Sequence, residues 1–347
     1  MYKIKEIKNK DDWNNFVLEN DFEFYSFLSS WQWWELQSLL WKKIFRFWIY
    51  NEKNKLIGLL PFIKNTAKRW TYLFAPHTPL IIKNLDFFNI IEYIINDLKI
   101  FAKWENADFI RFNSPVKNTK QNKLSFEKLW FLNAPMHEHA EDTHILDLNP
   151  SEEELLSNLK KEDRYYINRA IKEWVEVVFW NTKEQIEILT SMHIEHSKKI
   201  GYHPFTSEFI NNLYNVFWGD ITTISARYNW NIESILMTIK FWKTCVYYIA
   251  TSDIKSPKFS PNYLCQWEAI KNAKKQWCET YNFWWVSPDD NPKHPIAWVT
   301  KFKRKFAWYD YSLLHAQDLP ITKKYWINYL IENIRRIKRG YYYKKPE

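Results

Sequence analysis

The sequence predicts an α/β (α+β) protein of two tandem domains, each a mixed sheet flanked by helices. Three observations carry this expectation. At 347 residues the chain is long enough for two ordinary cores. A weak internal repeat gives the order strand–strand–strand–helix–strand twice. No heptad pattern is sustained, so a coiled-coil arm is not expected.

The first copy reads "IFRFWIYNEKNKLIGLLPFIKNTAKRWTYLFAPHTPLI" and the second "ITTISARYNWNIESILMTIKFWKTCVYYIATSD". In each, an apolar strand ends in Tyr-Asn (Tyr50-Asn51; Tyr228-Asn229) and a turn follows. A second strand then ends in Ile-Lys (Ile63-Lys64; Ile239-Lys240), and a third carries aromatics. Runs of alternating or continuous apolar residues mark these as strands. Amphipathic helices are expected at about 84–103 and 259–276, each leading into a strand, 108–113 and 279–284. Further helices are expected around 31–40 and over 151–173, 183–199 and 206–217. "DLNPSEEELLSNL" carries a helix start, with Ser151 as N-cap and Glu154 three residues on, a capping box. The domains are therefore placed at 1–147 and 148–316. A C-terminal helix at about 322–338 lies in a segment, 317–347, that packs back on the first domain.

Composition narrows the function classes. An apolar fraction of 46% and a charged fraction of 26% are those of a soluble globular protein. No run of 18 apolar residues is present, and "MYKIKEIKNKDDW" lacks the apolar core of a signal peptide. Three cysteines without a CxxC pair fit a reducing cytoplasm, with peripheral association at the inner membrane surface as a second expectation. The net charge is +9, and +6 of it lies in the last 25 residues, in and around "RRIKRGYYYKK". Such a tail suits RNA phosphates or an anionic membrane, or is simply a solvated helix end.

Glycine and tryptophan are out of proportion. The chain has 4 glycines and 21 tryptophans, where average usage would give about 24 glycines. Many tryptophans stand where a helix stops or a hairpin turns, positions that favour a left-handed residue and hence glycine. The pattern fits UGA codons that mean glycine being read as tryptophan. The suspect positions are Trp34, Trp41, Trp48, Trp70, Trp104, Trp130, Trp174, Trp180, Trp218, Trp230, Trp242, Trp277, Trp285, Trp298 and Trp308. Trp13, Trp31, Trp33, Trp267, Trp284 and Trp326 read as true tryptophans. In "YNFWWVSPDD" this makes Trp284 a packed aromatic and Trp285 the glycine position.

With glycines restored, "YNFWWVSPDDNPKHPIAWVTKFKRKFAWYDY" becomes an aromatic strand, Trp-Gly, a Pro/Asp loop and a basic segment ending in glycine. This resembles the FemABX family of aminoacyltransferases, which build peptidoglycan interpeptide bridges (lipid II:glycine glycyltransferase-like). That family carries a Tyr-Asp-Phe-Trp-Gly strand end, a His-Pro segment and a Phe-Lys-x-x-Phe-Gly-Gly run. "SSWQWWELQ", "YLFAPHTPLI", "ADFIRF", "RYYINRAIKEWVEV" and "LCQWEAIKNAKKQW" are similar to it too, so the resemblance spans about residues 10–320.

The resemblance implies two GNAT-like (acyl-CoA N-acyltransferase-type) domains without a coiled-coil arm. It implies transfer of an amino acid from aminoacyl-tRNA to the stem-peptide amine of UDP-MurNAc-pentapeptide or lipid II, by a monomer with no cofactor and no metal. Positioning amine and ester together and stabilising negative charge are what such a reaction needs. By the same resemblance Lys303, after Phe302, takes the catalytic cation's position, and Lys301, Arg304 and Lys305 lie where tRNA phosphates would be met. Asn113, followed by Ser114, stands near the acceptor amine, where an asparagine cannot act as a base. Arg111 binds an anion or caps the strand end. Tyr247 and Tyr248 match an aromatic pair on the substrate groove, of which strand alternation lets one face it. His203, Trp284 and Trp33 complete the substrate-binding set.

The histidines of "MHEHAEDTH" and "MHIEH" fit neither HExxH nor a Cys/His zinc spacing. His77 in "APHTPLI" reads as a turn residue, and neither a Gly-x-Ser-x-Gly elbow nor a Walker loop occurs. Two rival readings remain. A GNAT-type N-acyltransferase acting on another amine needs an Arg/Gln-x-x-Gly-x-Gly/Ala pyrophosphate loop, which the sequence lacks. A non-catalytic RNA-binding protein would use the basic tail and the aromatics.

Overall fold

The computed structural model describes residues 2–200, 203–253, 260–306 and 308–347. The chain divides into two compact units. Unit 1 comprises 1–142, 287–297 and 311–347; unit 2 comprises 143–286 and 298–310.

Unit 1 holds a six-stranded sheet in the order Lys43–Phe45, Phe62–Thr66, Thr71–Pro76, Phe109–Asn113, Gln317–Pro320, Leu132–Asn133. Thr71–Pro76 and Phe109–Asn113 run parallel, in unbroken register from Tyr72↔Phe109 to Pro76↔Asn113, and the other pairs are antiparallel. The helix Phe87–Trp104 makes the parallel crossover. It presents Ile90, Ile91, Ile94, Ile95 and Leu98 as one apolar stripe, the i, i+4 spacing that seals a helix to a sheet. A smaller antiparallel sheet joins Lys3–Glu6, Phe47–Tyr50, Leu56–Leu59 and Leu80–Ile81.

Unit 2 is built on a seven-stranded sheet: Glu176–Trp180, Ile221–Tyr228, Asn231–Phe241, Thr244–Ser252, Thr280–Trp285, Asp142–Asp147, Tyr309–Ser312. Its crossover helix, Pro261–Lys275, buries Leu264, Cys265, Ala269, Ile270 and Ala273. Here the central parallel pair behaves differently. Thr244–Ser252 and Thr280–Trp285 are paired only over Thr244–Val246, after which ladder pairing ends. A bulge follows on the other side of Thr244–Ser252. Thr238 faces Tyr247 but Met237 faces Ile249, so Tyr248 is the extra residue.

The expected helices are found, with differences. The stretch 151–173 is two helices, Glu152–Asn158 and Lys161–Lys172, and the first carries the capping box of Ser151 and Glu154. The expected start of the next crossover helix, 259, lies outside the described residues. The basic segment after the Pro/Asp loop is a helix, Ala297–Arg304. Among the described residues no helix is long and apolar enough to cross a membrane.

The tryptophans divide sharply. Trp41, Trp130, Trp174, Trp230, Trp242 and Trp277 all have left-handed backbone, with φ between 52° and 70°. Five of the six are 80–97% exposed. Trp104 is equally bare, yet the left-handed residue after its helix is Asn106, at φ 53°. Trp34 and Trp48 are instead core residues packed about Trp13, which sets them apart from the other suspect positions. At "YNFWWVSPDD" the backbone reverses the expectation. Trp284, buried, takes φ 58°, and Trp285 does not take a positive φ. The reason is a bulge: Ile145 faces Asn282 but Thr143 faces Trp285, so the extra residue and the left-handed turn fall one position early.

Candidate active site

Where the ladder between Thr244–Ser252 and Thr280–Trp285 ends, unit 2 holds a cavity of about 600 Å³. A mixed sheet exposes side chains on its faces, but two parallel strands that stop pairing leave a notch between them. The bulge then defeats alternation. Tyr247 and Tyr248 both line the cavity, although strict period 2 would have sent them to opposite faces. Burial pushes both phenols above their usual range, so they are neutral donors near pH 7.

Lys303 enters the cavity from the helix Ala297–Arg304. Its side chain is buried, and its ammonium donates to the Trp285 carbonyl at 2.8 Å and lies 5.4 Å from the centre of the Tyr247 ring. Burial pushes it down from 10.5 to about 7. Phe302, half-buried, lines the same cavity and packs on Tyr263 and Phe306. Trp284 stands behind Tyr248, with ring centres 6.3 Å apart. The cavity also takes in His193 and His196, which spacing tests for metal passed over. Their i, i+3 spacing on the helix Lys183–Ile200 was the available signal, since it puts both on one face.

Other expected positions are otherwise engaged. Lys305 pairs with buried Asp163 at 2.9 Å and donates to the Tyr263 hydroxyl at 2.6 Å, which holds its charge firmly in place within the fold. Arg304 is 3.5 Å from Asp310, and Lys301 is exposed. His203 is exposed, while Gly201 and Tyr202 of the same loop lie outside the described residues.

In unit 1 the parallel strands stay paired to their ends, and the residues placed there by resemblance are sealed. Arg111 is buried and bidentate to Asp318 (2.7 and 2.9 Å), with Glu332 at 2.7 Å. Its guanidinium is therefore spent on carboxylates of its own unit instead of a ligand. Asn113 and Ser114 are buried, and among the described residues Asn113 Oδ1 and Ser114 Oγ have no hydrogen-bond partner. Trp33 is buried and packs against Phe27 and His139. His77 is buried between Ser26 Oγ (2.9 Å) and the Ala140 carbonyl (3.0 Å), and burial lowers it to about 4. The tail is docked: Asn118 Nδ2 donates to the Lys344 and Lys345 carbonyls, and Tyr343 stacks on His315 at 3.7 Å.

The model of the FemAB family matches residues 223–333. Over this stretch the chain is similar to the FemAB family. The FemAB stretch contains Tyr247, Tyr248, Trp284, Phe302 and Lys303, and leaves Trp33, Arg111, Asn113 and Ser114 outside it. None of the curated proteins matches the chain. Among solved structures, FemX is similar over 95% of this chain and 100% of its own, with TM-score 0.79 and 14% identity. A tandem GNAT protein from the clavulanic acid biosynthesis pathway covers 92% and 99%, with TM-score 0.55 and 8% identity. L-PGS from Bacillus licheniformis covers 94% and 96%, with TM-score 0.55 and 10% identity. At such identities these likenesses establish the fold: two tandem GNAT-like domains of mixed sheet and flanking helices.

Proposed function

We propose that this protein is an aminoacyltransferase that moves an amino acid from aminoacyl-tRNA to the stem-peptide amine of a peptidoglycan precursor. The observation that carries the reading is the buried Lys303 amine, inside a cavity whose residues from Ser234 onward lie in the stretch, 223–333, that matches the FemAB family model. The acceptor nitrogen forms a bond to the ester carbonyl carbon, the bond from that carbon to the ribose oxygen breaks, and the amine's proton ends on the ribose hydroxyl. An activated ester needs no covalent intermediate, so orientation and charge stabilisation carry the acceleration.

A lysine near pKa 7 is divided between amine and ammonium in the free protein. An incoming phosphate or developing oxyanion favours the ammonium, so the cation forms where negative charge appears. Tyr247 and Tyr248 supply neutral hydroxyl donors beside it. Phe302 and Trp284 act as apolar walls that hold Lys303 and Tyr248 in position. Lys301, outside the cavity and exposed, is the remaining cation of the segment for tRNA phosphate, on the cytoplasmic face of the membrane where such precursors are assembled.

The test is transfer of labelled amino acid from charged tRNA to UDP-MurNAc-pentapeptide, and to lipid II in detergent, by the purified chain. Label in the precursor that disappears in Lys303→Met supports the reading. Binding of tRNA without transfer to either acceptor overturns it in favour of an RNA-binding protein. Transfer from an acyl-CoA to an amine would overturn it in favour of an ordinary N-acyltransferase.

A further inference from the structure

Unit 1 contains a buried cluster that the proposed reaction does not use. Glu141 lies just before the strand Asp142–Asp147, and His315 lies just before Gln317–Pro320. Glu141 Oε1 accepts the Ala316 N–H at 2.8 Å, with Asn113 Nδ2 3.5 Å away. Glu141 Oε2 lies 2.7 Å from His315 Nδ1 and 3.3 Å from His137 Nδ1. His315 Nε2 is 2.7 Å from the Ala134 carbonyl.

A neutral imidazole has one N–H, yet both nitrogens of His315 face oxygen acceptors. With Nε2–H donated to Ala134, the Nδ1 lone pair confronts a carboxylate oxygen at hydrogen-bond distance. A cation has to lie between them, and it is either a proton or a metal ion. A proton would satisfy one nitrogen and one oxygen. Here a second imidazole nitrogen, that of His137, converges on the same oxygen, and the ligand atoms of all three residues lie within 4.8 Å of one another. Zinc bonds of about 2.0–2.2 Å to nitrogen and oxygen set tetrahedral ligand atoms roughly 3.3–3.6 Å apart, a spacing these side chains reach by small rotations.

We propose that His137, Glu141 and His315 bind one divalent transition-metal ion of the zinc class. Two imidazoles and a carboxylate are a donor set suited to zinc and unsuited to magnesium. The supporting contacts are those that orient metal ligands elsewhere: a backbone carbonyl on the far nitrogen of the histidine and a backbone N–H on the second carboxylate oxygen. Water fills the fourth position on the side of His137, whose side chain is 16% exposed. The ion fastens Glu141 and His315, 174 apart in sequence, to one another within unit 1. Spacing rules miss it because the three ligands come from two distant segments.

The experiment titrates Co2+ into the chelator-treated full-length protein at pH 7.5, then displaces it with Zn2+. The expected result is one Co2+ per chain with the visible band of a four-coordinate ion, lost on adding Zn2+. His137→Ala, at the partly exposed edge and therefore mild for folding, should weaken Co2+ binding by at least about tenfold, and His315→Gln should abolish it. Absence of stoichiometric uptake by the unaltered chain overturns the proposal and leaves a proton-bridged pair. A band unchanged in His137→Ala overturns it too, because the ion is then held elsewhere.

Discussion

Replacing Trp41, Trp130, Trp174, Trp230 and Trp277 with glycine should make this protein more stable, although core substitutions of tryptophan usually do the reverse. Each of the five has left-handed φ and an almost bare indole. A side chain in that conformation costs about 1–2 kcal/mol, since Cβ crowds the following carbonyl. Glycine removes this but returns about 0.5–1 kcal/mol through its looser unfolded chain. Little packing is lost from a ring that is 80–97% exposed. The net gain is then about 0.5–1 kcal/mol per site, and about 3–5 kcal/mol for all five if distant sites add. Denaturant unfolding followed by circular dichroism measures it. Trp41 and Trp130 report on unit 1, and the other three on unit 2. Alanine at the same positions is the control, because it keeps Cβ and therefore the strain. Trp104→Gly is a second control: that residue ends a helix without left-handed backbone, so it should lose stability. Equal gains from alanine and glycine would refute the reasoning. The gene then offers an independent check, since UGA codons are expected at these five sites and UGG codons would rule out the recoding.

Lys303→Met should abolish transfer while stabilising the fold. Below pH 7 the buried ammonium costs about 5 kcal/mol, from a shift of 10.5 to about 7. That penalty shrinks as pH rises and is gone above the unfolded value of 10.5, so the gain in the variant should fall to about 2 kcal/mol at pH 9. A gain that does not change with pH, or a loss at pH 7, would contradict it. Arg111→Met should destabilise the protein by about 3–5 kcal/mol in thermal unfolding, since it strands Asp318 in the core. A near-neutral effect would mean the network is dispensable.

Much of the architecture was legible in the sequence because it rests on local signals. The double strand–strand–strand–helix–strand pattern follows apolar periodicity, and the Ser151 capping box was readable from four residues. The cavity was only half legible. Phe302 and Lys303 were found through motif resemblance, but alternation placed Tyr247 and Tyr248 on opposite faces. A bulge is set by the partner strand's register, which the strand itself does not encode. Trp284 shows the same limit, since its left-handed turn depends on how Thr143 and Ile145 pair with it. Arg111 and Lys305 looked like free cations because their carboxylates lie far off in the chain, at Asp318 and Asp163. The tail was expected to pack back on the first domain, but its composition, which suits RNA phosphates, an anionic membrane or a solvated end, did not show that Tyr343 covers His315.

The sheet of unit 1 has a consequence for the order in which the chain can be made. Phe109–Asn113 is an inner strand, but its antiparallel neighbour, Gln317–Pro320, comes from near the end of the sequence, with Arg111 and Asp318 separated by 207 positions. At about 5–20 residues per second, a ribosome takes about 10–40 s to supply that neighbour. Through this interval the strand's edge stands open, with its N–H and C=O groups unpaired and a buried arginine awaiting its carboxylate, while all of unit 2 is synthesised. An exposed edge of this kind recruits other chains. Synthesis speed and chaperone supply should therefore matter more to the yield of this protein than its final stability does, and fragments ending before residue 317 should aggregate rather than fold.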